Sequence, residues 1–409
     1  MVKAKISCFP QLRSIRVGSW SRQGKDSKGR LKRGTMRVAL VTFGGYGFYP
    51  QFLIKGLLSS SDDVTVFAPH QLEETLGRIL ERGKDRVLYF QMPRMRYPSN
   101  LWMIRKLVEQ IECIQPDVVH FTGYYPWMLF GLRRLSRFPL VMTVHDPEKH
   151  SGDIDTKLVP GSYDWFYKYM TRVVVMGEAM RKAVVDRGAM DRPSVDVVLH
   201  GNYHDFLRWA DSAVEEVENT VLFFGRIWRY KGLEYLVDAE PIIRKQIPNA
   251  RLVVAGRGSV KYLQNVKKKI AHPEAFQFIN EYIPDTMVAR LYQQASLVVL
   301  PYVDGTQSGP LLLAYSFGKP VVVTNVGSLP DYVEEGRTGY VVPARNPEAL
   351  ADRIISLLKD SNARRGMGKA GFRMASDKLS WEILAGEYLK VYENARGNSV
   401  RFSPIRSRV

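Results

Sequence analysis

No stretch of the 409-residue chain approaches the ~18 consecutive apolar residues that a transmembrane helix needs. The longest apolar runs, such as Ser296-Leu297-Val298-Val299-Leu300, are strand-sized. Cysteine is scarce. Cys8 and Cys113 are too few for a disulfide framework or a four-cysteine zinc site. That suits a reducing compartment, so the expected location is the cytoplasm, with peripheral attachment to its membrane as an extension. Acids are outnumbered, 41 against 59 Lys and Arg, for a net charge of +18. The excess is not spread evenly. Residues 1–34 hold ten Lys/Arg against Asp26 alone, giving +9, and residues 396–409 hold four Arg and no acid, giving +4. Residues 35–395 therefore carry only +5. A nucleic-acid-binding function would rest on the tails, and no recognition motif supports it.

What is present is ordinary globular material, 45% hydrophobic and 24% charged, which excludes disorder as the dominant state. The length predicts two or three domains. Residues 1–35 read as a disordered basic tail, either a targeting segment or sequence upstream of a start at Met36, and 396–409 as a second tail. Between them, short Val/Ile/Leu runs recur. Strands are expected at Arg37–Thr42, Val64–Ala68, Val87–Phe90, Asp117–Thr122, Leu140–His145, Arg172–Met176 and Asp196–Leu199. The series restarts with Thr220–Phe224, Leu252–Ala255, Phe276–Ile279, Leu297–Pro301, Val321–Thr324 and Tyr340–Val342. Nearly continuous apolar runs fit parallel strands covered on both faces. Helical spacing separates them, as at Leu101, Ile104, Leu107, Val108 and Ile111. A helix over 347–359 is well marked: Asn346 suits its N-cap, Pro347 its first position and Glu348 its first turn. Two α/β series predict two doubly wound, Rossmann-like domains, 36–206 and 207–380, with a helix over 381–395 packing back on the first.

Several loops at strand ends carry chemistry. Gly44 and Gly45 follow the first strand, where backbone amides can approach a ligand, although the loop is not G-x-G-x-x-G and no acid ends the second strand. A turn alone explains them equally well. His145 ends a strand before Pro147-Glu148-Lys149-His150, positioned to hold a hydroxyl or stabilise charge, or simply to fasten a loop. His200 is balanced between the two roles, His70 and His120 are weaker, and His272 is read as surface. Gly225-Arg226, with Lys231 at the start of the next helix, pairs a planar fork of donors with a mobile point charge, which suits a diphosphate. Thr306-Gln307-Ser308-Gly309 opens a helix too apolar for the surface, with Thr306 or Ser308 as its cap and its amides facing an anion.

Together these residues resemble a family 4 glycosyltransferase of the GT-B fold. The matching pieces are Gly225-Arg226 with Lys231-Gly232, Val253 through Gly258, Tyr282-Ile283-Pro284-Asp285, Gly318 through Val322, Gly327 through Asp331, and Glu335 through Gly339. The resemblance implies two Rossmann-like domains facing a cleft, and transfer of a sugar from a nucleotide-diphosphate sugar with retention at the anomeric carbon. It assigns Arg226 and Lys231 to the donor diphosphate in place of a metal, the backbone near Tyr282 and Ile283 to the base, and His145 to the transferred sugar. No other cofactor is implied. The family's two glutamates, eight positions apart, fall here on Gly305 and Leu313. That departure suggests altered donor contacts through Gln307 and Ser308. It also motivates two alternatives, a non-catalytic sugar-nucleotide-binding scaffold and a sugar-nucleotide epimerase on the same fold. The acceptor is expected to be a carbohydrate or a lipid-linked molecule. Basic and aromatic residues at Arg94, Arg96, Tyr97, Trp102, Arg105, Lys106, Tyr124, Tyr125, Trp127, Arg133, Arg134 and Arg137 form either an anionic-membrane face or a solvated surface over core aromatics.

Overall fold

The computed structural model describes residues 36–45, 47–61, 63–147 and 162–398. The first basic tail and Glu148, Lys149 and His150 lie outside the described residues, as do 399–409. Residues 396–398 belong to the last helix instead of a tail.

The first domain is one parallel sheet. Its strands are β1 (Val38–Val41), β2 (Val64–Pro69), β3 (Val87–Phe90), β4 (Val118–Phe121), β5 (Leu140–Thr143), β6 (Arg172–Val175) and β7 (Val195–Val197), in the order β3-β2-β1-β4-β5-β6-β7. Among the described residues, the helices within this domain are α1 (Tyr49–Ser60), α2 (Glu73–Ile79), α3 (Ser99–Ile114), α4 (Leu129–Leu135), α5 (Ser162–Tyr167) and α6 (Glu178–Asp186). The second sheet, also parallel, holds β8 (Thr220–Phe224), β9 (Arg251–Ala255), β10 (Phe276–Ile279), β11 (Leu297–Leu300), β12 (Val321–Thr324) and β13 (Gly339–Val342), ordered β10-β9-β8-β11-β12-β13. Its helices are α7 (Leu233–Gln246), α8 (Val260–Lys267), α9 (Asp285–Gln294), α10 (Gly309–Ser316), α11 (Pro347–Lys359) and α12 (Ser361–Asp377), and α13 (Trp381–Asn398) ends the described chain.

Burial explains why these strands are parallel and central. Every residue of β1, β4, β5, β6, β11 and β12 is buried. Each fully buried Val or Leu contributes roughly 1.5–3 kcal/mol. Caps set the helix limits: Asn346 Oδ1 accepts from Ala349 N at 2.8 Å, and Asp360 Oδ1 accepts from Asn362 N and Ala363 N to start α12.

The last helix crosses back and lies on α1. Gly56 of α1 sits so close to the Trp381 carbonyl that an added Cβ would be 2.5 Å from it. Farther along α13, Tyr388 and Tyr392 are fully buried. His120 on β4 ties the helix to the sheet, with Nδ1 2.7 Å from Tyr392 Oη and Nε2 2.8 Å from Thr143 Oγ1. Burial pushes His120 down to about 3, so it is neutral and structural.

In both sheets the strand order reverses beside the first strand, at β1/β4 and at β8/β11. Such reversal points open a crevice at the carboxyl ends of the strands, where ligands bind in open α/β sheets.

Candidate functional site

In the second domain, β8 ends at Phe224 and delivers Gly225 and Arg226 to the crevice. The turn is possible because Gly256, at φ +137°, lies against the Gly225 carbonyl; a Cβ there would come within 2.0 Å of that oxygen. Arg226 is exposed, with Nη2 3.5 Å from Tyr230 Oη. Lys231 does not open α7. It ends a 3-10 turn, Arg229–Lys231, and left-handed Gly232 separates it from the helix. Its ammonium sits 3.7 Å from the Tyr302 ring centroid and 4.9 Å from that of Tyr230. Two aromatic faces thus hold the charge at the mouth of β11.

Beyond β11, the segment 304–308 leads into α10. Neither expected cap is made: no side chain caps this helix, although Ser308 occupies the position. Ser308 Oγ instead pairs with Tyr302 Oη at 2.9 Å. Thr306 Oγ1 donates to Asp146 Oδ1 at 2.5 Å, across to the first domain. The amide supply is also thinner than expected, because Pro310 has no N–H and Leu311 N bonds to Ser308 O at 3.2 Å. Pro310 lies over Gly225, with Cγ 3.3 Å from where a Cβ would stand, so the start of α10 adjoins the Arg226 turn. Gln307 Oε1 is buried with no partner.

Across the crevice, β5 leads to buried His145. Its Nε2 lies 2.8 Å from the Thr122 carbonyl, which only accepts, so Nε2 carries the proton and Nδ1 the lone pair. Burial dominates its titration and lowers it to about 4, against the opposing pull of Thr122 O and Asp146. The ring is therefore uncharged at neutral pH and can accept from a hydroxyl, but is no store of a labile proton. His200 is similar. Its Nδ1 donates to Gly201 O at 2.8 Å, and burial lowers it to about 4. Its ring stacks on Tyr203 and meets Tyr49 and Trp381 edge-on, which makes it part of the domain junction. Gly44 and Gly45 follow β1 at positive φ, and Gly44 N donates to Thr42 Oγ1. Tyr282 and Ile283 follow β10, two strands from the Arg226 turn; Tyr282 is 74% exposed and Ile283 is buried.

The structure thus brings together Arg226, Lys231, Thr306, Ser308 and Gly309 on one side, with His145 reached through Asp146. Gly44, Gly45, Tyr282 and Ile283 share the carboxyl edges of the sheets. Asp146, Tyr203, Tyr302 and Asp331 have places here that sequence reasoning did not give them. Asp331 Oδ2 accepts from Glu178 N, the first residue of α6, at 2.8 Å, and Tyr332 Oη bridges Met176 O and His200 N. Two further histidines are peripheral: His70 pairs with Glu73, and His272, expected at the surface, holds buried Glu240 at 2.9 Å. Among the described residues no cluster of His, Cys, Asp or Glu can hold a metal ion.

Comparison with known proteins matches this two-part architecture. The model for Glycosyltransferase Family 4 matches residues 43–203, and that for Glycosyl transferases group 1 matches 218–360. An uncharacterized glycosyltransferase of Methanocaldococcus jannaschii is 26% identical over 397 residues, covering 88% of this chain and 98% of its own. A phosphatidyl-myo-inositol mannosyltransferase of Mycobacterium leprae is 29% identical over 283 residues, 68% of this chain and 73% of its own. The crystal structure of Anabaena HepE in complex with UDP superposes with a TM-score of 0.67 at 16% identity, covering 88% of this chain and all of that one. With one family model on each domain and a GT-B crevice between them, the chain belongs to glycosyltransferase family 4.

Proposed function

We propose that this retaining glycosyltransferase takes its sugar from a nucleoside-diphosphate donor held by Arg226, Lys231 and the start of α10, without a metal ion. The observation that carries the proposal is the junction of the Arg226 turn, the Lys231 ammonium and Gly309 at the β8/β11 reversal. As the anomeric C–O bond breaks, negative charge grows on the leaving diphosphate. Two cations preorganised beside it stabilise that charge in the transition state. The leaving phosphate takes the acceptor hydroxyl's proton, so a separate carboxylate base is not required. His145, neutral and with Nδ1 as acceptor, orients a hydroxyl of the sugar. Gly305 and Leu313 offer no acidic side chain, and Leu313 is buried. The carboxylate nearest Thr306 is instead that of Asp146 from the first domain, placed to accept from donor-sugar hydroxyls.

Nucleotide binding tests this site. UDP, ADP and GDP, compared with their monophosphates by thermal shift, should show one diphosphate raising the melting temperature more than its monophosphate. EDTA should not abolish the effect. Loss of binding on chelation refutes the metal-free site. Binding without transfer or hydrolysis across acceptors identifies a sugar-nucleotide-binding scaffold, and conversion of the donor alone to an epimeric sugar identifies an epimerase.

The proposed acceptor is lipid-linked, presented at an anionic membrane surface. The supporting face lies on α3 and α4 and the loop before α3. Trp102 is 61% and Phe130 69% exposed, with Met95, Tyr97 and Leu101 also outside. Arg94, Arg96, Arg105, Lys106, Arg133, Arg134 and Arg137 surround them, against Glu109 and Glu112. Lys106 Nζ stands 3.6 Å over the Trp102 ring. Tyr125, by contrast, is core and bonds Asn100. Aromatics ringed by cations suit the interface of anionic lipid. No described helix is long and apolar enough to cross a membrane. The protein should co-sediment with phosphatidylserine vesicles and not with phosphatidylcholine vesicles. Trp102→Ser with Phe130→Ser should release it. Equal sedimentation of wild type and variant overturns the face.

A further inference from the structure

Tyr203 lies in the link between the domains, between β7 and β8, and is 8% exposed. Its backbone N–H donates to Ser316 Oγ at 3.0 Å, at the far end of α10. Its ring stacks on His200 at 5.5 Å and 15°, and Phe48, Phe52 and Phe206 meet it edge-on. The side chain is thus clamped on every side but one. On the open side its hydroxyl points at the first residue of α10: a Cβ built on Gly309 would lie 3.2 Å from Tyr203 Oη. That hydroxyl meets no hydrogen-bond partner among the described residues, although more than nine-tenths of the residue is buried.

Although the ring is buried, Tyr203 Oη is not sealed from solvent, so at the helix start it meets water or an arriving acceptor. The start of α10 offers none of its own, since it presents donors. Donors are also missing there. Pro310 has no N–H, and Leu311 N is already bonded to Ser308 O, so Gly309 N is the amide left to face an anion. A shortage of donors and an idle donor meet at one point, beside Gly225-Arg226.

We propose that Tyr203 is a donor-phosphate ligand, its hydroxyl bonding a phosphate oxygen of the nucleotide diphosphate where Pro310 withholds an amide. This rests on the donor site assigned above. Burial holds the phenol well above its ordinary titration range, so it remains a donor throughout the working pH range. Because the ring is already fixed, little ordering entropy is lost when the phosphate arrives. The residue comes from the interdomain link, so the bond also fastens the second domain's ligand to the junction.

Isothermal titration of the full chain with UDP, or with whichever of UDP, ADP and GDP binds, tests this. Tyr203→Phe keeps the ring and its stacking and removes only the hydroxyl. The variant should melt at the wild-type temperature without nucleotide. It should bind the diphosphate about tenfold more weakly, the scale of one hydrogen bond to a charged group. Arg226→Ala run beside it separates the two failures. If Arg226→Ala weakens binding and Tyr203→Phe stays within twofold of wild type, the tyrosine has no phosphate role and the donor site stands. A lowered melting temperature with unchanged affinity likewise makes Tyr203 purely structural. If the wild-type chain binds none of the three diphosphates, both assignments fall.

Discussion

Lys231→Ala should lower turnover roughly 100- to 1000-fold, the loss expected when one preorganised charge donor worth about 3–4 kcal/mol is removed. The fold should survive. Lys231 ends a short turn on the crevice side and is half-buried, with its ammonium on the faces of Tyr230 and Tyr302, so truncation opens no cavity in either core. The effect should fall on kcat more than on donor KM. The attraction between the ammonium and the diphosphate grows as the leaving group gains charge, so the transition state loses more than the ground state. Lys231→Arg should recover only part, since a planar fork does not reproduce a point charge seated between two rings. Circular dichroism and melting temperature establish matched folding, and single-turnover transfer gives the rate. Near-normal transfer by a folded Ala variant refutes the role given to Lys231.

Much of this architecture is legible in the residues. Strands β8 and β12 begin and end where their apolar runs do, because a strand covered on both faces has few polar positions to blur its limits. The helix over 347–359 is equally plain, since Asn346, Pro347 and Glu348 mark one end and an apolar stripe runs along it. Helix α12 has its cap in Asp360 but no such apolar stripe. Its packed face is built from Gly368, Gly371 and Ala375, with Gly368 against the Gly318 carbonyl and Gly371 against the Tyr315 ring. Close approach through small residues leaves no hydrophobic period to read. The site divides in the same way. Arg226 and Lys231 are close in sequence and share one turn, so their pairing is visible locally. Thr306 and Asp146 lie 160 positions apart, and Glu178 and Asp331 lie 153 apart. Only the closing of one domain on the other joins them, and a single sequence carries no trace of that. The expected caps Thr306 and Ser308 fail because each hydroxyl has a competing partner, Asp146 from the other domain for Thr306 and Tyr302, six residues upstream, for Ser308.

Gly177→Val should leave both domains folded and yet cut transfer by about 100-fold, the cost of misplacing reacting groups by roughly an ångström. Gly177 precedes α6 with φ 167°, an extended conformation open to any residue, so the substitution strains no backbone. What it meets is the other domain. A Cβ at Gly177 would stand 2.1 Å from Ser328 Oγ and 2.6 Å from Asp331 Oδ2. Ser328 is fully buried and Asp331 is engaged with Glu178 N, so neither side chain has room to withdraw. Relief comes by opening the domains at this edge. Opening also strains the Tyr332 bridge to Met176 O and His200 N, and separates Asp146 from Thr306. Asp331, which desolvation holds above the usual aspartate range in the closed form, should return toward that range once exposed. Nucleotide affinity should change little, because Arg226, Lys231 and Gly309 all belong to the second domain and Tyr203 stays tied to α10 through Ser316 Oγ. Small-angle scattering should report a larger radius of gyration than wild type, and titration with the diphosphate a near-normal affinity. A variant that stays compact and transfers at the wild-type rate would show that this contact does not govern the closed arrangement. One that loses nucleotide binding as fully as transfer would place the damage in the donor site itself.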